Sequence, residues 1–167
     1  MKGLGTVLAL GLGAALLLGA SHSSVPLIGL PFAGFFATLE PKSDFETMAA
    51  ELNKKGLKAH APASIVGKSG VKHEFAFALV PDGARAKIVV DTELSVKDVD
   101  EMKVLKFYVK VYDVGPDKAL LCVSPRLAER AATLAKEYGI SVLEDEVPKR
   151  LVPLAEKFVT ETAESTV

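Results

Sequence analysis

The sequence predicts an α/β domain with a mixed sheet, preceded by a hydrophobic N-terminal segment, and two observations carry this prediction. From residue 41 the predicted elements are a helix, three strands, and then helices alternating with strands. That order favours a mixed sheet with helices on both faces. Charge is also distributed unevenly, since the 37 residues from Gly3 to Leu39 contain no Asp, Glu, Lys or Arg and all 21 acidic residues begin at Glu40. We therefore divide the chain into a hydrophobic leader, residues 1–40, and a soluble domain, residues 41–167.

The leader is typical of a membrane anchor. Leu4–Ala20 is an apolar run of about 17 residues, which is just long enough to span a bilayer core. A second apolar run, Val25–Leu39, contains proline and glycine and would form a broken or kinked helix. Lys2 precedes the uncharged run, Lys42 follows it, and the segment that connects its two apolar parts contains no base. This favours a hairpin at the cell membrane with the domain in the cytoplasm. A single span, a cleaved signal peptide and a buried core helix stay open as alternatives.

Capping and turn residues mark the elements of the domain. Ser43-Asp44-Phe45-Glu46 is a capping box that places Ser43 at the N-cap of the first helix, and Gly56 closes that helix. The segment after Ser95 is predicted to be helical to about residue 113, although its residues 104–112 are also rich in strand-forming types. Alternation and turn signals give the other elements: strands over 57–61, 71–80, 85–94, 119–123 and 140–143, and helices over 126–138 and 148–162.

Opposed carboxylates on two of these strands are the first candidate site. If Asp82-Gly83 is a two-residue turn, Glu74 lies opposite Asp91, and Lys72 lies opposite Glu93. Two carboxylates that face each other are unfavourable unless a cation lies between them. The pairing therefore predicts a Mg²⁺ site at Glu74 and Asp91, with water and phosphate as the other ligands. The alternative is a solvated strand face with an exposed ion pair.

A basic segment is the second candidate site. Residues 52–73 contain no acid and five lysines: Lys54, Lys55, Lys58, Lys68 and Lys72. Backbone amides of the Gly67–Gly70 loop could also donate to a phosphate. These features predict contacts with a nucleic-acid backbone at Lys68, Ser69 and Lys72. Anionic lipid headgroups or an ordinary basic surface are the alternatives.

Composition limits the other chemistry. The single cysteine, Cys122, excludes an intramolecular disulfide and is expected to be an inert core residue. Three scattered histidines form no metal signature, and we expect His73 to be packed with a polar partner. The chain has no Gln and one Asn, a composition typical of thermophilic proteins.

Four segments together resemble a known superfamily. They are the capped helix with Phe45 and Glu46, GKSGVKHEFAF at 67–77, IVVDTE at 88–93 and FYVKVYDVG at 107–115. Over roughly residues 43–144 their order resembles the restriction-endonuclease-like, or PD-(D/E)xK, nuclease superfamily, in particular its uncharacterised archaeal branches. The resemblance implies an αβββαβ core with a mixed sheet and, in active members, Mg²⁺-dependent hydrolysis of phosphodiesters.

The motif departs from the superfamily pattern at two positions. Ala76 stands where the resemblance implies an acid, with Glu74 as the substitute on the same face. Asp91-Thr92-Glu93 lacks the lysine of the third position, which Lys110 of the following helix would replace. The leading hypothesis is a membrane-attached nuclease-like domain that has lost or altered its catalysis and binds or scaffolds, for example on DNA or RNA. The alternatives are an active Mg²⁺-dependent endonuclease using Glu74, Asp91, Glu93 and Lys110, and a membrane-tethered protein-interaction domain.

Overall fold

The computed structural model of the protein describes residues 41–165, and the predicted leader, residues 1–40, lies outside them. The described residues form four α-helices, seven strands and a 3₁₀ turn at Pro148–Arg150. The helices are α1 (Pro41–Lys54), α2 (Glu101–Val114), α3 (Glu129–Glu137) and α4 (Leu151–Glu164). The strands are β1 (Ala59–His60), β2 (Ala63–Val66), β3 (Lys72–Phe75), β4 (Phe77–Leu79), β5 (Ile88–Leu94), β6 (Lys118–Ser124) and β7 (Ser141–Glu144).

Five of the strands form a mixed sheet in the order β1-β4-β5-β6-β7. The pairs β1–β4 and β4–β5 are antiparallel, and β5, β6 and β7 run parallel to one another. Parallel neighbours need a crossover connection, which α2 supplies between β5 and β6 and α3 supplies between β6 and β7. The mixed α/β architecture predicted from the element order is therefore confirmed.

Apolar side chains cover both faces of this sheet. On one face α1 and α4 pack over the strands around Phe45, Phe77 and Leu151. On the other face α2 and α3 pack around Phe75, Phe107 and Leu121. Both layers are fully buried at their centres, which stabilises the fold through the removal of apolar surface from water.

Helix α2 resolves the segment that sequence propensity left ambiguous. Its buried residues, Val104 and Phe107, are spaced for one helix face, and Val111 and Val114 continue that face. The predicted start at Ser95 is wrong. Asp100 is the N-cap and accepts a hydrogen bond from the Lys103 amide, because the preceding chain stays extended and Val99 pairs with Leu127 in a parallel bridge.

The predicted strand over 71–80 is also wrong as a single element. The chain bends at Ala76, so that β3 pairs with β2 in a separate two-stranded sheet while β4 joins the main sheet. Strand β2, which the sequence did not predict, places Glu74 opposite Ser64. Asp91 is consequently not the partner of Glu74, and the predicted pairing of Lys72 with Glu93 is wrong for the same reason.

The register of β4 on β5 also differs from the predicted register. Phe77 lies opposite Val90 and Leu79 opposite Ile88, which is two residues out of step with a two-residue turn at Asp82-Gly83. Residues 80–87 form a longer connection instead. An even shift by itself keeps the same side chains on each face of the sheet. The bend at Ala76 nevertheless reverses the faces, since Phe77 packs in the layer of α1 and α4 and Phe75 in the layer of α2 and α3. The shared face that one continuous strand over 71–80 predicts for Phe75 and Phe77 is therefore wrong.

Two further boundaries bear on the predictions. Helix α1 begins at Pro41, two residues before the predicted N-cap at Ser43, and proline is favoured in a first helical turn. Among the described residues no helix combines the length and the hydropathy needed to cross a bilayer.

Candidate functional site in the fork of the sheet

The sheet opens where β3 leaves it. Strand β4 begins at Phe77, and its pairing with β5 reaches no further than Phe77–Val90. Strand β5 continues beyond that pair to Leu94, with β6 on its other side. No described strand therefore pairs with residues 91–94 on the side of β4. We call this opening, between the bend at Ala76 and residues 91–94 of β5, the fork.

A cavity of about 330 Å³ lies in the fork. It is lined by side chains from α1, β3, β5 and the connecting bends, namely Phe45, Pro62, Glu74, Phe75, Ala76, Asp91 and Thr92. Its walls are mostly apolar, and its carboxylates are Glu74 and Asp91. Two of the predicted catalytic residues thus share one cavity although they are not ladder partners.

Lys110 of α2 joins this site. Its ammonium lies 2.6 Å from Asp91 Oδ2, donates to the main-chain carbonyl of Glu74 at 2.7 Å, and lies 5.2 Å from the centre of the Phe75 ring. The Asp91 and Lys110 side chains are 22% and 32% exposed, so the ion pair is partly shielded from solvent. The other oxygen of Asp91, Oδ1, accepts a hydrogen bond from the Thr92 amide at 3.1 Å.

Glu93, the fourth predicted catalytic residue, is held elsewhere. Its carboxylate pairs with Lys103 at 2.7 Å, two helical turns before Lys110 on α2. The hydrogen bond and charge of Glu93 raise the pKa of Lys103. Strand β5 therefore presents two acids to α2, and each of them is neutralised by a lysine of that helix.

The side chains in the fork do not suit the coordination of a divalent cation. Mg²⁺ requires carboxylate oxygens in near-octahedral geometry, but both oxygens of Asp91 already accept hydrogen bonds, one of them from an ammonium group. Ala76, at the bend, lines the same cavity and packs against the layer of α1 and α4, and its methyl group supplies no ligand. Among the described residues no group of three or more His, Cys, Asp or Glu side chains is arranged to hold a metal.

The predicted nucleic-acid contacts lie on the β2–β3 hairpin. Lys72 is exposed and lies two residues before Glu74 on β3, on the same face as that cavity residue. Lys68 is exposed at the hairpin tip, and its ammonium lies beside Gly115, the residue that closes α2. Two of the five lysines of the basic segment, Lys55 and Lys58, pair instead with Glu156 and Asp82, so the five do not form one free basic surface.

The Gly67–Gly70 loop does not supply free amides to a phosphate, contrary to the prediction. Its amides donate to the carbonyls of Val71, Asp113 and Gly67 and, at Ser69, to the Asp113 carboxylate. The Ser69 hydroxyl donates to Asp113 Oδ2 at 2.6 Å and accepts from the Val71 amide. The loop is satisfied internally, because Asp113 takes the place that a bound anion would take.

Sequence reasoning missed the role of Asp113. His73 Nε2 lies 2.7 Å from Asp113 Oδ2, which confirms that His73 is a packed histidine with a polar partner. Hydrogen bonds from Ser69 and His73 lower the pKa of Asp113 to about 2. The residues that meet here are separated by 40 or more positions, and no spacing rule connects a loop serine to the last turn of a distant helix.

Comparison with known proteins gives no family. The sequence matches no protein-family model and no curated protein. A crystal structure of a protein of unknown function superposes with a TM-score of 0.46 at 17% identity over 59% of this chain. The superposition covers 56% of that other chain, so the described likeness spans little more than half of its length. A likeness of this degree carries no argument about fold family or activity.

Proposed function

We propose that this chain is a membrane-attached domain of nuclease-like architecture that binds the phosphate backbone of nucleic acid and no longer cleaves it. The observation that carries the proposal is the position of Ala76 in the fork. The proposed attachment rests on the uncharged leader, residues 3–39, with the domain on the cytoplasmic side.

Three observations support the loss of metal-dependent cleavage. Ala76 places a methyl group in the cavity, Lys110 pairs with Asp91, and Lys103 pairs with Glu93. Metal-assisted hydrolysis needs carboxylates that can coordinate the ion. In this arrangement a cation at Asp91 would have to displace an ammonium group that also donates to the Glu74 carbonyl.

Support for phosphate binding comes from the lysines beside the fork. Lys72 lies on the outer face of the hairpin next to Glu74, and Lys68 lies at the hairpin tip. Neither ammonium has an ion-pair partner among the described residues. Contacts of this kind bind a phosphate backbone without reading sequence, and their strength falls steeply with salt.

Fluorescence anisotropy of a labelled oligonucleotide with the full-length chain tests the binding. We expect binding that weakens as salt rises and that weakens further in Lys68→Glu with Lys72→Glu. The matched control is Lys136→Glu with Lys149→Glu, which makes the same change in charge at exposed positions outside the hairpin. Equal loss of affinity in both double variants would show general electrostatics rather than a site on the hairpin.

Substitution at Ala76 tests the explanation for lost catalysis. Ala76→Asp would add a carboxylate to the cavity that Asp91 lines, and we expect Mg²⁺ to raise the melting temperature of this variant. Ala76→Asn has nearly the same shape without the charge, and we expect its melting temperature and that of the wild type to be insensitive to Mg²⁺. A Mg²⁺ response in the wild type equal to that of Ala76→Asp would contradict the proposal.

A second candidate is an active, divergent, metal-dependent endonuclease. The observation that favours it is that Glu74 and Asp91 line one cavity and Lys110 contacts both residues. Cleavage of DNA or RNA that requires Mg²⁺ or Mn²⁺ and is abolished by Asp91→Ala would establish this candidate. Absence of both binding and cleavage would leave a membrane-tethered protein-interaction domain.

A further inference from the structure

The β2–β3 hairpin is a separate small sheet that is fastened to α2. Its two strands pair only with each other among the described strands, and an isolated two-stranded hairpin is marginal in water. The side chains of Phe75 and Ala63 pack into the core beneath α2, which holds the base of the hairpin. Its tip, residues 67–70, needs a separate attachment.

Asp113 provides that attachment. Its carboxylate accepts from the Ser69 amide at 2.8 Å, from the Ser69 hydroxyl at 2.6 Å and from His73 Nε2 at 2.7 Å. Its main-chain carbonyl accepts from the Lys68 amide at 3.0 Å. Both members of the His73–Asp113 pair are mostly shielded, at 13% and 16% exposure, so water competes less for the hydrogen bond between them.

Gly67 shows how closely the hairpin approaches α2. A Cβ built at this position would lie 1.9 Å from Asp113 Oδ2, far inside van der Waals contact. The close approach therefore requires glycine at this position. The Asp113 carboxylate therefore fixes the position of the loop relative to α2, since it bonds to the amide and hydroxyl of Ser69 and to His73.

The hydrogen bonds of Asp113 lie next to the fork, because the residues that make them are neighbours of fork residues on both β3 and α2. His73, which meets Asp113, is followed directly by Glu74, whose carbonyl accepts from Lys110, and Lys110 lies one helical turn before Asp113. From this juxtaposition we infer that Asp113 is a positioning residue, which holds β3 at the distance at which the Glu74 carbonyl meets the Lys110 ammonium. Asp113 thereby keeps one side of the fork closed.

Lysine acylation read by mass spectrometry tests this role on the full-length chain. Lys103 is an internal control, because it lies on the same helix and pairs with an acid of the same strand but makes no contact with the hairpin. In Asp113→Ala we expect Lys110 to be acylated roughly tenfold faster, the size of effect that loss of a hydrogen bond produces. We expect the rate at Lys103 to stay the same.

Two further variants keep the test decisive if Asp113→Ala folds poorly. Ser69→Ala removes one of the three hydrogen bonds to the Asp113 carboxylate and leaves the sequence of α2 unchanged, and we expect a smaller rise at Lys110. Glu101→Gln replaces a carboxylate in the first turn of α2 and should change neither lysine. Equal acceleration at Lys103 and Lys110, or no acceleration at Lys110 in Asp113→Ala and Ser69→Ala, would overturn the inference.

The effect of Asp113 on binding, unlike its effect on Lys110, rests on the proposed function. We expect Asp113→Ala to weaken oligonucleotide binding severalfold, because Lys72 and Lys68 are carried by the hairpin. If the wild type binds no oligonucleotide, the proposed function is wrong, and acylation of Lys110 still decides the positioning role. If binding and acylation are both unchanged in Asp113→Ala, the positioning role is wrong and the proposed function stands.

Discussion

The Lys110 ammonium lies 2.6 Å from the Asp91 carboxylate, one of the two acids that line the fork. The same ammonium donates to the Glu74 carbonyl and lies over the Phe75 ring. One lysine thus joins α2, β3 and β5 at a point where the sheet separates. Its charge also offsets the cost of leaving Asp91 partly buried.

The Asp91–Lys110 pair should be coupled more strongly than its neighbour. A double-mutant cycle with Asp91→Asn and Lys110→Met, measured by urea unfolding, should give a coupling of about 1 kcal/mol. The Glu93–Lys103 pair is the matched comparison, since Lys103 is more exposed, at 46% against 32% for Lys110. We expect about 0.5 kcal/mol or less for that pair, and a larger value there than at Asp91–Lys110 would contradict this account.

Gly67→Ala should destabilise the domain through a clash with Asp113. We expect a loss of roughly 1–3 kcal/mol in the free energy of unfolding, the usual cost of overpacking. The loss should shrink in an Asp113→Ala background, because the clashing carboxylate is then absent. Gly70→Ala is the control, since Gly70 has a φ of +83° and open space around it, and its backbone cost should be the same in both backgrounds.

Asp113 should give the domain a specific loss of stability in acid. Its folded pKa is about 2, below the ordinary value of 3.8, because Ser69 and His73 donate to the carboxylate. A lowered pKa contributes stability above the unfolded value and loses it as pH falls toward the folded value. The stability advantage of the wild type over Asp113→Asn should therefore be constant above about pH 4 and narrow between pH 4 and pH 2. Urea unfolding at several pH values in this range measures the difference in the free energy of unfolding between the two proteins. A difference that does not narrow would contradict the role given to the hydrogen bonds of Asp113.

Cys122 should be unreactive while the domain is folded. It is fully buried in β6, and burial together with the nearby charge of Asp91 raises the pKa of its thiol to about 12. A thiol reagent at pH 8 should label the native chain very slowly and label one thiol when urea unfolds it. Rapid labelling of the folded chain would mean that the β5–β6 core opens readily.

Local signals predicted the elements better than their partners. A helix was predicted to about residue 113, and α2 ends at Val114, although its predicted start after Ser95 was wrong. The alternation around Phe77 predicted a strand there, and β4 lies there. The bend at Ala76 was not predictable, because Val71–Val80 alternates without a break in hydropathy. What ends the strand is a tertiary event, the pairing of β3 with β2 instead of with β5.

The candidate site shows the same limit. Glu74, Asp91 and Lys110 were predicted as a group, and the structure brings them together around the fork. The reason given for Glu74 and Asp91 was wrong, since it depended on a ladder register that the longer 80–87 connection does not allow. Glu93 pairs with Lys103, and Ser69 donates to Asp113. A sequence pattern does not identify partners that are this far apart in the chain.

The central proposal is that the domain binds nucleic acid without cleaving it, and one incubation analysed on two gels tests both parts. The full-length chain is incubated with end-labelled oligonucleotide and Mn²⁺, and the products are run under native and denaturing conditions. We expect a shifted band on the native gel at low salt and an intact oligonucleotide on the denaturing gel. Shortened oligonucleotide that disappears in Asp91→Ala, or the absence of any shifted band, would contradict the account.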